Sequence, residues 1–362
     1  MHLQLLVLFC LSFFSLLCLR KLAKQFGLVD LPNQRKLHEG PVPLVGGLAI
    51  TIVLTLFLLF NPSLMVNSRW FIVSIVILSV MGALDDKFDL SVVIRLAVQV
   101  CLSMVMIHLA GLELLYLGDI WGFGEIELGW LGKILTIVAV IAAINAFNIV
   151  DGIDGLLGGL SMVTFGALAL VLLVDGQFDF AYFCLVMMVI MLPYIFMNLG
   201  ILGRQRKVFM GDAGSMMIGF TVIWILLNIS QVSAQPLLRP VTALWLIAIP
   251  LMDMAAVMIR RMRQGRSPFK PDREHLHHIC QRLGFSSRQT LCFICGMASV
   301  LAGFGLYGEL IQLSEATMFY SFLLLFLTYL IALSYIWRIT SFIRKRYGKQ
   351  DVSIVEQNQP LV

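Results

Sequence analysis

The sequence predicts an all-α, polytopic integral membrane protein, and three observations carry that prediction. Hydrophobic residues make up 59% of the 362-residue chain and charged residues only 13%, where a soluble domain is about 25% charged. Apolar runs long enough for membrane helices recur from one end of the chain to the other. All but four of the 26 Lys and Arg residues fall in alternate connections between those runs, the exceptions being Arg69, Arg95, Lys133 and Arg239. A water-soluble fold of this length would need far more polar surface. A disordered chain would not carry this much apolar residue.

Taken in order, the apolar stretches lie near residues 3–19, 44–60, 70–84, 92–110, 131–147, 156–174, 180–197, 216–229, 241–259, 290–307 and 318–337, about eleven transmembrane helices. The first lacks a charged leader and an A-x-A site and is followed by Arg20, Lys21 and Lys24, which marks a retained span. Positive charge gathers at 20–36, at Lys87, at 204–207, from Arg260 to Arg288 and from Arg338 to Lys349. By the positive-inside rule those connections are cytoplasmic. The N-terminus is then periplasmic and the C-terminus cytoplasmic, which requires an odd number of spans. Residues 1–338 read as one transmembrane domain and 339–362 as a basic cytoplasmic tail.

The outer connections are short except 111–129, where Gly118, Gly122, Gly124 and Gly129 suggest a hairpin or interfacial loop. Seven cysteines are scattered through apolar surroundings, and Cys292-Phe-Ile-Cys295 has no second pair to make a metal site.

Function concentrates at the inner span ends. Asp85-Asp86-Lys87-Phe88-Asp89 closes the third span. Acids beside hydrocarbon mark function by default, and a divalent cation relieves their mutual repulsion; a solvated turn is the plainer alternative. Next comes Asn145-Ala-Phe-Asn148-Ile-Val-Asp151-Gly-Ile-Asp154-Gly155. Asn145, Asn148 and Asp151 share a helix face, Gly152 and Gly155 let the backbone approach a ligand, and the following helix start suits a phosphate.

Phe209-Met-Gly211-Asp212-Ala-Gly214-Ser215 opens the eighth span just after Arg204, Arg206 and Lys207. Asp212 is either a ligand-binding acid or a helix N-cap. The longest inner loop carries Arg260, Arg261, Arg263, Arg266, Lys270 and Arg273, with His275, His277 and His278 within four positions. A zinc site there has no evident Cys partner, and an anion-binding loop for a phosphorylated substrate fits better. Three acidic connections and one basic loop facing one compartment suit phosphoryl-type transfer around Mg²⁺.

With these residues assembled, the chain resembles the polyprenyl-phosphate N-acetylhexosamine-1-phosphate transferases, the superfamily that includes MraY, and within it the WecA type. The motifs are Pro32-Asn-Gln-Arg35-Lys-Leu-His38, Pro43-Leu-Val-Gly46-Gly47, Leu84-Asp-Asp86, Asn148 through Gly155, Phe209 through Ser215, and Asp272-Arg-Glu-His275-Leu-His-His278. Their order covers nearly the whole chain. The His-Leu-His-His pattern is similar to the WecA type rather than to MraY.

The resemblance implies transfer of GlcNAc-1-phosphate from UDP-GlcNAc to undecaprenyl phosphate at the inner membrane, with the active site facing the cytoplasm. The products are UMP and the lipid-linked sugar that initiates O-antigen lipopolysaccharide and enterobacterial common antigen synthesis. It implies Mg²⁺ as cofactor, with Mn²⁺ as a substitute. Asp85 would help activate the lipid phosphate, Asp86 would support the metal, and Asp154 and Asp212 match metal-binding positions. Phe209 matches an aromatic that stacks on uracil. Asp151, Asn148, His275, His277 and His278 would hold the nucleotide sugar, and Arg263 and Arg266 the diphosphate. Direct attack by the lipid phosphate is favoured over a covalent Asp intermediate. The partners implied are these two substrates and the bilayer, without nucleic acid, and the reading leaves room for a homodimer.

Two related chemistries and one different class compete. Another UDP-N-acetylhexosamine would use the same motifs. Asp85-Asp86-Lys-Phe-Asp89 also fits the DDxxD pattern of an intramembrane prenyltransferase, which leaves the histidine loop and Phe209–Ser215 without a purpose. A transporter would place its charges near the midplane in repeated halves. Asp253, deeper in the ninth span, reads either as a buried helix contact or as support for the site.

Overall fold

A computed structural model describes residues 2–31, 40–231, 237–267 and 275–335. The Pro32–His38 motif, Asp272 to Glu274 and the basic tail 339–362 lie outside the described residues. The described chain forms thirteen α-helices: α1 (His2–Phe26), α2 (Gly46–Phe60), α3 (Ser68–Phe88), α4 (Val92–His108), α5 (Leu131–Ile149), α6 (Leu156–Val174), α7 (Phe178–Asn198), α8 (Gly211–Gln231), α9 (Pro240–Leu246), α10 (Ala248–Arg263), α11 (Leu276–Arg282), α12 (Ser287–Leu310) and α13 (Glu315–Ser334).

Each of the eleven apolar stretches is helical. Seven helices are long and apolar enough to cross a membrane, α1, α5, α6, α7, α8, α12 and α13, and eight if α9 and α10 make one broken span. Val92–His108 and Gly46–Phe60 are shorter; at 1.5 Å per residue the 15 residues of α2 reach about 22 Å, less than a typical hydrocarbon core. The ninth stretch is bent by 83° between α9 and α10. Ile247 breaks the run, and Pro250 sits in the first turn of α10, where a missing N–H costs nothing.

The core sits on α8, which is buried along almost its whole length and packs against α3, α5 and α2. Glycines set how closely these helices meet. A β-carbon at Gly47 would land in the backbone of Gly214, and one at Gly82 in the backbone of Ala213, so α2 and α3 both touch the first turn of α8 main chain to main chain.

One small sheet departs from the all-helical expectation. Val29–Asp30 pairs antiparallel with Val42–Pro43, and the same segment continues as a parallel bridge from Leu44 to Phe209. Phe209 N–H donates to Pro43 O (2.9 Å), Gly46 N–H to Phe209 O (2.9 Å) and Gly47 N–H to Met210 O (3.0 Å). Residues 111–129 hold a bridge between Tyr116 and Glu127, anchored to α8 by Gln231, whose side chain accepts from Leu115 N–H at 2.8 Å.

Candidate active site

At one end of the bundle the C-termini of α3 and α5 meet the N-termini of α4, α6 and α8. Asp86 in the last turn of α3 accepts the backbone N–H of Asp212 with both carboxylate oxygens, each at 3.0 Å. Gly211, at φ +72°, turns the chain into α8 and leaves room for the Asp86 carboxylate, which a side chain there would strike. Asp86 thus sits at the positive end of α8. Asp212 is not the N-cap considered from the sequence; it lies inside α8, and its Oδ1 accepts from Asn148 at 2.8 Å. Asn148 also donates to Ser215 at 2.9 Å, which fixes the amide between the two.

Asp85 faces elsewhere. Nearly fully buried at 3% side-chain exposure, it pairs with Arg95 of α4 at 2.9 Å and accepts Leu90 N–H at 2.8 Å. The same Arg95 nitrogen lies 4.0 Å from Asp212, so one guanidinium links two acids from different motifs.

Asp151 follows α5, half-buried in the turn. Burial pushes its carboxyl up to about 7, and the nearby Asp212 and Asp154 carboxylates add to the rise. Asp154 accepts an ion pair from Lys207 at 2.6 Å, and the Lys207 ammonium also stands 5.0 Å from the Phe209 ring centroid. The half-buried ring is held by the backbone bridge to Leu44. Asn198 ties this side together, accepting Gly155 N–H at 2.6 Å and donating to Val208 O at 2.9 Å.

The histidines reach the same loop. His277, buried, packs its Nε2 against Gly152, where a β-carbon would collide with the ring, and that nitrogen has no hydrogen-bond partner among the described residues. Burial first, then His278, push its pKa down to about 3, so His277 is neutral at physiological pH. The His277 and His278 rings lie 4.1 Å apart between centroids. His275 is buried and bonded through Nδ1 to Asp253 Oδ2 at 3.0 Å. Arg263, the last residue of α10, and Arg266 just past it stand exposed.

The structure therefore joins Asp86, Asn148, Asp212 and Ser215 directly, adds Asp85 through Arg95, and brings Asp154 and Phe209 together through Lys207. Arg95 has no place in the site read from the sequence. An intramembrane arginine is itself a functional signal, and its position ten residues after Asp85, across a helical hairpin, could have found it. Ser215 and Asn198 carry no comparable signal.

Residues 68–230 match the family described as Glycosyl transferase family 4. A Yersinia pestis protein named undecaprenyl-phosphate alpha-N-acetylglucosaminyl 1-phosphate transferase is 49% identical over 346 residues, 95% of this chain and 94% of its own. Proteins of the same name from Haemophilus influenzae and Escherichia coli K12 are 45% and 48% identical, over 95% and 90% of this chain and 97% and 89% of theirs. The apolar helices and these relatives define a multi-helix membrane transferase. The chain belongs to the family of these relatives, within glycosyl transferase family 4.

Proposed function

We propose that this chain transfers N-acetylglucosamine 1-phosphate from UDP-N-acetylglucosamine to undecaprenyl phosphate, releasing UMP. The observation that carries this reading is the contact of Asp86, Asn148 and Asp212, from three separate motifs, in a chain almost half identical along its length to relatives named for that reaction.

The basic connections support eleven spans, α9 and α10 together forming one, with a periplasmic N-terminus and the site end in the cytoplasm. Lys207 and the arginines of α10 lie at the same end as the acids.

The donor set fits Mg²⁺, with Mn²⁺ as a substitute: hard carboxylate oxygens gathered at one end of the bundle, with Arg95 and Lys207 as the neighbouring cations. Among the described residues no three His, Cys, Asp or Glu side chains converge in ligating geometry. The fit is to an ion that takes one or two carboxylates and fills its shell with phosphate oxygens and water. Asp86 and Asp212 would hold it, and Asp154 would join them were Lys207 to pair with a substrate phosphate instead. When bound, the ion spreads the charge that builds on the transferring phosphoryl group.

The chain's own residues do the positioning. Asn148 fixes the Asp212 carboxylate, Arg95 brings a positive charge between Asp85 and Asp212, and Phe209 offers a rigid ring for the uracil. His275, His277 and His278 wall the nucleotide-sugar side, and Arg263 and Arg266 take the diphosphate. Asp85 acts through Arg95. The lipid phosphate is already an anionic nucleophile, so it attacks the β-phosphorus without a base; the new P–O bond forms as the bond to UMP breaks. The product opens O-antigen and enterobacterial common antigen assembly.

The test is purified protein with radiolabelled UDP-N-acetylglucosamine, undecaprenyl phosphate and Mg²⁺. Label is expected in the lipid phase, one UMP per lipid product, with loss on EDTA and recovery with Mg²⁺ or Mn²⁺. Label that stays in the aqueous phase overturns the reading. UMP released without lipid acceptor would replace direct attack by a covalent intermediate.

A further inference from the structure

Asp253 is a carboxylate buried inside the helical bundle, 2% exposed, and nothing in the proposed reaction uses it. Both of its oxygens are engaged. Oδ1 takes the Tyr329 hydroxyl at 2.7 Å and the Leu276 N–H at 3.0 Å; Oδ2 lies 3.0 Å from His275 Nδ1. The three partners come from α13, α11 and the residue just before α11, so one side chain of α10 holds both the histidine segment and the last helix.

We propose that Asp253 is a positioning residue for the nucleotide sugar: it locks His275 with the proton on Nδ1 and Nε2 left to face the substrate. This inference rests on the reading of the His275–His278 segment as the nucleotide-sugar wall. A carboxylate has no donor of its own, so the hydrogen of the bond to His275 belongs to Nδ1. Nε2 is then the ring's one remaining polar atom, in a fixed orientation. Tyr329 and the Leu276 N–H hold the carboxylate in the plane that aims Oδ2 at the imidazole.

The same geometry says what Asp253→Asn does. The two donors on Oδ1, one of them a backbone N–H that cannot accept, force the amide oxygen to that side. The amide NH₂ then faces His275 Nδ1, which must accept, and the proton moves to Nε2. The shape survives and the tautomer inverts, as when the carboxylate of a catalytic triad is made an amide.

The experiment is a double-mutant cycle on UDP-N-acetylglucosamine kinetics with Asp253→Asn, His275→Ala and the pair, plus Tyr329→Phe, each checked for thermal stability. Losing one charge-assisted contact predicts a rise in KM of roughly tenfold for Asp253→Asn, with kcat within about twofold. His275→Ala is expected to raise KM at least as much, and the double variant no more than His275→Ala alone. Tyr329→Phe moves KM in the same direction by a smaller factor, roughly twofold to threefold, since one of three bonds is lost. Multiplicative effects in the double variant, or a raised KM in His275→Ala with none in Asp253→Asn, overturn the proposal and leave the nucleotide-sugar wall standing. An unchanged KM in His275→Ala overturns both. A loss of melting temperature in Asp253→Asn with KM unchanged makes Asp253 a packing residue only and likewise overturns it.

Discussion

Asp86 caps α8 by taking the backbone N–H of Asp212 with both of its carboxylate oxygens. One acid therefore orients the next, and the two negative groups are held side by side by the peptide unit between them. The arrangement opposes Coulomb repulsion with a helix N-terminus and leaves Asp212 Oδ2 turned toward Arg95.

Replacing either acid by its amide keeps the volume and removes the charge. Asp86→Asn and Asp212→Asn are each expected to lower turnover by at least about a hundredfold, the scale of losing one electrostatic group at a reacting centre. Lipid-product formation at saturating Mg²⁺ checks this, and normal turnover in either variant counts against the assignment.

Arg95 is expected to matter for folding as well as for chemistry. Arg95→Met takes from the buried Asp85 the one cation that pairs with it among the described residues, leaving the Leu90 N–H bond, at a cost of about 1–3 kcal/mol. Thermal unfolding in detergent should fall for Arg95→Met and recover in part in the Asp85→Asn, Arg95→Met pair, which no longer buries a lone charge. Additive losses in the pair would deny the coupling.

Glycine spacing gives a third expectation. Gly47→Ala and Gly82→Ala push a methyl group into the main chain of α8, where no rotamer change makes room, so both should reduce stability and activity together. Gly296→Ala and Gly303→Ala, in α12 with nothing nearby, should be silent or slightly stabilising. Melting temperatures of the four variants decide it.

The raised Asp151 carboxyl, at about 7, gives a pH dependence with a definite sign. The folded group holds its proton more tightly than the unfolded one, whose value lies near 4. Its contribution to stability without ligand is full below pH 4 and is lost as pH rises to 7. Asp151→Asn should flatten this trend; thermal unfolding across pH 5 to 8 measures it.

The eleven apolar stretches could be read because hydrophobic length is written locally, and the acidic motifs because charge beside hydrocarbon is rare. What stayed hidden depends on contacts between distant residues. Hydropathy does not register the 83° break at Ile247, since both α9 and α10 are apolar and Pro250 is tolerated in a first turn. Asp85 and Asp154 look equivalent to Asp86 in sequence, yet Arg95 and Lys207 claim them once the helices pack. Asp253 could be read two ways until α11 and α13 closed around it. The pairing of Leu44 with Phe209 joins segments 165 residues apart, for which neither sequence carries a local mark.

That bridge has a mechanical result. Main-chain bonds stitch Pro43, Gly46 and Gly47 to Phe209 and Met210, so the backbone that carries the aromatic ring is tied to the entries of both α2 and α8. The opposite wall, α11 against Gly152 and Asp253, is fastened through side chains. The two sides of the candidate site thus differ in kind, one tied through the main chain and the other through side-chain contacts that a single substitution can remove.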